Sequence, residues 1–129
     1  PYNFRDKKYG EAKSAFAGPG ANLAIALFFG ILIRVIDFLA LPISPDFVTF
    51  LGYIVFINIL LAIFNLIPIP PLDGSHILFT FLPASANQLR SFLEQYGVIV
   101  LVVFIFFGFP LIIPLILLIF RLLTGIVLF

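Results

Sequence analysis

Cysteine, methionine and tryptophan are absent from the sequence, histidine occurs once, and charged residues make up only 10% of it. Without cysteine there is no disulfide framework and no thiolate metal site. A single histidine excludes any multi-histidine metal site built from these residues alone. A formal net charge of +1 leaves no basic surface for nucleic acid, so no nucleic-acid partner is expected. The sequence is also far too apolar for disorder. Hydrophobic residues account for 63% of it and the mean hydropathy is +1.25, whereas a soluble domain is about half apolar and a quarter charged. Water cannot solvate such a surface. The lipid bilayer is the expected surrounding, and the expected fold is all-α, a polytopic transmembrane helical bundle of three to four spans.

The 129 residues begin Pro1-Tyr2-Asn3, with no initiator methionine. Charged and small residues run to Ala17 before apolar sequence starts, which is not a signal-peptide pattern. The expectation is part of a longer membrane protein. Residues 1–17 form a polar stretch, expected as a cytoplasmic-side loop. Residues 18–41 are a first span, with Pro19 suited to a helix's first turn. Arg34 and Asp37 lie three apart on one helical face, and the expectation there is an interfacial salt bridge. Pro42 and Pro45 mark a loop, and residues 47–82 form a second span with a broken end. Pro83 to Tyr96 is polar, with Arg90 and Glu94 spaced i,i+4. Residues 97–129, interrupted by Gly108, Pro110 and Pro114, fit either one kinked span or two.

Orientation follows from the basic residues. Arg5, Lys7, Lys8 and Lys13 outnumber Asp6 and Glu11, which favours a cytoplasmic start. The Asp46 loop is then external, and the Arg90 loop returns to the cytoplasmic side.

Two segments carry residues that a plain scaffold has no use for. The first is Asn65-Leu66-Ile67-Pro68-Ile69-Pro70-Pro71-Leu72-Asp73-Gly74. Each proline removes an amide donor and pushes the residue before it out of the helical region, so the helix must stop near Leu66. Irregular backbone at membrane depth survives only against protein or a wet cavity. Asp73, a carboxylate between apolar runs, is a functional candidate or the cap of the next helix. Asn65 is a candidate for a polar contact between helices. His76 follows Asp73 by one helical turn, a spacing that suits either a second metal ligand or a merely polar position. The second segment is Gly18-Pro19-Gly20-Ala21-Asn22, whose small residues let another backbone approach and whose Asn22 places an amide just inside the membrane boundary.

Together these segments resemble the site-2 protease family of intramembrane zinc metalloproteases. Ala17-Gly18-Pro19-Gly20-Ala21-Asn22-Leu23 is similar to that family's A-G-P-x-x-N-L element, and Asn65 to Gly74 to its N-x-x-P-x-P-x-L-D-G element. Pro1-Tyr2-Asn3-Phe4-Arg5 resembles the loop before the first element in small prokaryotic members. The resemblance implies a prokaryotic multi-pass membrane protease that cleaves membrane-spanning protein substrates. It implies that Asp73 is one ligand of a catalytic Zn2+ and that Asn65 holds the substrate backbone or the oxyanion. Ser75 stands where many members have a second glycine, and His76 inherits no role.

The family's other two ligands and its general base lie on an H-E-x-x-H helix, which these 129 residues do not contain. Catalytic zinc takes three protein ligands and a water, and a neighbouring Glu accepts that water's proton. The chain is therefore expected to need N-terminal helices of the same protein and to be inactive alone. A different class remains open at this level: a non-catalytic protease-like scaffold, or half of a membrane carrier with a broken helix at its binding site.

Overall fold

The computed structural model describes the backbone of residues 4–126 and the side chains of residues 10–126. Pro1, Tyr2 and Asn3 of the Pro1 to Arg5 resemblance lie outside the described residues, as do the side chains of Phe4, Arg5, Lys7 and Lys8. Among the described residues there is no strand. The elements are α1 (Phe4–Phe38), α2 (Pro45–Asn65), α3 (Asp73–Phe81), a 3-10 turn (Ala84–Ala86), α4 (Asn87–Phe107) and α5 (Phe109–Thr124). Gly10–Phe38, Pro45–Asn65 and Ala84–Phe107 are long and apolar enough to cross a membrane. The all-α class expected from composition is the class observed.

Helix α1 departs from the expectation of a polar loop up to residue 17 and a helix starting at Gly18. It is continuous from Phe4, with Pro19 inside it rather than in its first turn. Residues 4–17 hold three Ala and three Lys, which are strong helix formers, and Ala12 and Ala15 are buried on one face. Pro19 costs the helix one hydrogen bond, but its ring is fully buried, and packing holds it in place. At 35 residues α1 is about 50 Å long, well beyond the ~30 Å of a hydrocarbon core. That length exceeds what a hydrocarbon core needs, so a polar first part and a continuous helix are compatible.

A short turn after Phe38 reverses the chain. Ala40 takes a positive φ of 49°, and the Leu41 amide donates to the Ile36 carbonyl at 3.0 Å. Ser44 then caps α2, its hydroxyl accepting from the Asp46 amide at 3.2 Å, and Pro45 occupies the first turn, where its missing N–H costs nothing. The resulting antiparallel pair buries Ala26, Ile33 and Ile36 of α1 against Leu51, Val55 and Ile59 of α2, with Ile116 and Phe120 of α5 completing the cluster.

The order of contacts shows how α4 and α5 run. Gly97 lies on Pro70, where a Cβ would sit 2.8 Å from the Pro70 carbonyl oxygen. Val100, Leu101 and Phe104 pack on Ile67, Ile69 and Leu72, Phe120 meets Phe56 edge-on with ring centroids 6.3 Å apart, and Leu123 presses on Gly30. Contacts advance steadily away from the prolines, so α5 continues in the direction of α4 across Gly108 and does not fold back as a hairpin.

Arg34 corrects a second expectation. Its Nε donates to the Leu123 carbonyl at 3.0 Å and its Nη2 to the Leu122 carbonyl at 2.7 Å. It closes the C-terminal end of α5 and forms no ion pair with Asp37. The last carbonyls of a helix lack partners and carry its negative dipole end, so a cation arriving from α1 bonds there in preference to an exposed carboxylate one turn away.

Candidate functional site

The site grows out of the way α2 ends. Asn65 is its last residue and Leu66 its cap, whose amide still donates to Ala62 and Ile63 at 3.2 Å. Beyond it, Pro68, Pro70 and Pro71 have no N–H to offer. The segment is held by Ile69 N–H to the Ile67 carbonyl at 2.8 Å and Leu72 N–H to the Ile69 carbonyl at 3.0 Å, with a cis peptide at Pro70-Pro71. Ile67, Ile69 and Leu72 are buried. One side of the irregular segment is thus packed on protein, while Leu66, Pro68 and Pro71 are exposed; broken helices persist in apolar surroundings where such packing shelters them.

Helix α3 starts at once and folds back on this end. A Cβ on Gly74 would collide with the Leu66 and Ile67 carbonyl oxygens, so glycine alone permits the approach. Asp73, one residue earlier, is half-buried and faces α1: a Cβ on Gly18 would lie 3.4 Å from the Asp73 Oδ2. The two candidate segments, 55 residues apart from Gly18 to Asp73, meet at this contact.

The capping reading of Asp73 does not hold. Leu72 occupies the N-cap position of α3 and no side chain caps it. The Asp73 carboxylate has no hydrogen bond or ion pair among the described residues. Ser75 turns its hydroxyl inward to the Leu72 carbonyl at 2.7 Å. Asp73 and His76 line an open groove of about 580 Å³ with Gly10, Glu11, Ser14 and Ala15 of α1.

Glu11 was not a candidate from sequence, although a signal existed. Glu11, Ser14, Ala15 and Gly18 follow the i, i+3, i+4, i+7 spacing of one helix face, and Gly18 was already marked. His76 also borders a second cavity of about 400 Å³ that reaches Arg90 and Glu94. Those two form the i,i+4 pair at 3.1 Å, with the Arg90 guanidinium 5.1 Å from the Phe79 ring centre.

The other two candidates stand apart. Asn65 does not line the groove; its amide donates to the Leu61 carbonyl of its own helix at 3.0 Å, and its side chain makes no hydrogen bond to another helix among the described residues. Asn22 is half-buried on α1, one turn beyond Gly18, and does not line the groove either. Gly20, expected to admit a neighbouring backbone, faces open space. Among the described residues no group of three His, Cys, Asp or Glu side chains is placed to hold a metal ion. Asp73 fits a zinc site in one respect, as an unpaired carboxylate at the edge of a groove; it is a single donor where three are needed.

Apolar helices of membrane-crossing length, one of them broken by prolines to present a carboxylate, define a helical protein of membrane type with an acid at an interrupted helix. The family model described as peptidase family M50 matches residues 34–109, and the chain belongs to that family. The match includes Asn65 and Asp73 and begins after the Gly18 to Asn22 segment. The chain is similar to a protein of Bacillus subtilis (strain 168), at 31% identity over 93 residues, which are 69% of this chain and 42% of that protein. It is also similar to a protein of Vibrio cholerae (serotype O1, El Tor Inaba N16961), at 53% identity over 38 residues, which are 30% of this chain and 8% of that protein. Both are named "Putative zinc metalloprotease", the first with the suffix YwhC. The chain spans less than half the length of these curated relatives. No solved structure matches it significantly.

Proposed function

We propose that this chain carries the carboxylate half of the catalytic centre of an intramembrane zinc metalloprotease of the site-2 type, which cleaves membrane-spanning protein substrates near the cytoplasmic side of a prokaryotic cell membrane. The observation that carries the reading is Asp73: half-buried, without a partner among the described residues, and held over Gly18 at a proline-broken helix. The carboxylate borders the groove with both oxygens uncommitted among the described residues, and metal ligation would give them a partner.

Asp73 is one zinc ligand in this account. The remaining ligands and the general base come from an H-E-x-x-H helix outside these 129 residues. When bound, the metal lowers the pKa of its water toward ~7 and polarises the scissile carbonyl. The chain's own residues do the rest. The Gly74 approach fixes the start of α3 and with it the Asp73 carboxylate, Gly18 leaves room for that carboxylate, and the groove along Glu11 and Ser14 admits water. The Asn65 amide rotates from the Leu61 carbonyl to hold the substrate's backbone or its developing oxyanion. The basic N-terminal end of α1 lies on the cytoplasmic side, in accord with its charge.

The test is cleavage of a membrane-spanning reporter by the full-length enzyme in liposomes. Asp73→Asn is expected to abolish turnover, and Asn65→Ala to lower kcat by about 10²- to 10³-fold, as removal of an oxyanion donor does. Undiminished cleavage by Asp73→Asn would contradict the reading.

A further inference from the structure

The end of the bundle away from Asp73 holds a second polar pair with no part in the chemistry above. Sixteen residues separate Gly18 from Arg34 on α1, about 24 Å along the helix. Here Arg34, Asp37, Phe38, Leu39 and Gly125 border a cavity of about 740 Å³. Phe38 is 87% exposed and Leu39 57% exposed, so one wall is apolar and open to the surroundings. A guanidinium has five N–H donors. Two of them bond the Leu122 and Leu123 carbonyls, and three remain. The Nη1 lies against Gly125, where a Cβ would come within 3.2 Å of it. Asp37 is exposed, three residues along, and its carboxylate has no partner among the described residues.

From this arrangement we infer a binding site for an aminophospholipid, its phosphate on the spare donors of Arg34 and its primary ammonium on the Asp37 carboxylate. Three features select that ligand. The guanidinium is fixed in place by the α5 carbonyls, which pre-organises its remaining donors for phosphate oxygens. Asp37 repels a purely anionic headgroup and welcomes a cation, so the ligand must carry both charges. A quaternary choline nitrogen has no N–H to give the carboxylate, whereas a primary ammonium has three. The apolar wall at Phe38 and Leu39, at the end of a membrane-length helix, calls for acyl chains rather than a free headgroup.

The experiment is native mass spectrometry of the delipidated protein, offered equal amounts of dioleoyl phosphatidylethanolamine, phosphatidylcholine and phosphatidylglycerol, with glycerophosphoethanolamine as the soluble arm. One phosphatidylethanolamine per chain is expected, retained about two- to fivefold over the other lipids, the range an exposed charge pair supports. In Asp37→Asn, with helicity unchanged by circular dichroism, the preference is expected to vanish. Equal retention of all three lipids, a preference for phosphatidylglycerol, an unaltered preference in Asp37→Asn, or equal retention of the soluble headgroup would each overturn the assignment.

Discussion

Two glycine substitutions, at Gly74 and at Gly20, are expected to act in opposite directions. In Gly74→Ala the new methyl collides with the carbonyl oxygens of Leu66 and Ile67. These atoms are backbone, fixed between the end of α2 and Pro68, so they cannot rotate away as a side chain would. Relief requires α3 to lift from α2, carrying Asp73 with it. Overpacking costs about 1–3 kcal/mol, and a clash with backbone that cannot yield falls in the upper part of that range, above the ~1 kcal/mol of helix propensity that alanine adds. Gly20 also lies within a helix, but nothing stands within 4 Å of its would-be Cβ. Gly20→Ala therefore keeps the propensity gain and is expected to stabilise by about 0.5–1 kcal/mol. Thermal melting in detergent, followed by circular dichroism, reads both. A lower midpoint for Gly74→Ala and a higher one for Gly20→Ala are expected. Equal shifts of the same sign would refute the packing argument, because propensity alone would then govern both positions.

The remaining expectations rest on separate contacts. Arg34→Gln withdraws a charged donor from the Leu122 and Leu123 carbonyls, at a cost of about 1.5–3 kcal/mol, and faster amide hydrogen exchange at the end of α5 is the readout. Gly97→Leu forces α4 off Pro70 and should lower the melting midpoint, while Ile99→Leu on the exposed face should leave it unchanged. Glu94→Gln removes an exposed ion pair and is expected to change stability by less than about 1 kcal/mol; a larger loss of melting stability would mean that the cavity beside His76 depends on that pair.

Features set by local backbone chemistry were legible in the sequence. Three closely spaced prolines fix where α2 stops, whatever surrounds them, and the carboxylate after them was marked on the same grounds. The start of α1 was not legible, because polar composition signals exposure and an exposed helix looks like a loop to that criterion. Proline suits a first turn in isolation, and only the burial of the Pro19 ring reveals why it sits deep inside a helix. The partner of Arg34 lies 88 and 89 residues away, beyond any argument from helical spacing, so the nearby Asp37 was the natural but incorrect choice. The continuation of α4 into α5 is decided by which earlier helices each one touches, and the apolar run from Gly97 onward carries no trace of that. Helical spacing puts Glu11 on the face of Gly18, but its place beside the groove appears only when Asp73 is seen across from Gly18.

The central claim, that Asp73 is a metal ligand, is tested most directly by zinc content. Full-length protein isolated from its native membrane would be measured by inductively coupled plasma mass spectrometry as wild type, Asp73→Asn and His76→Gln, beside the 129-residue chain alone. The account predicts one zinc per molecule in the wild type and in His76→Gln, well under one in Asp73→Asn, and none in the isolated chain. Full zinc occupancy in Asp73→Asn, or tight stoichiometric zinc in the isolated chain, would contradict it.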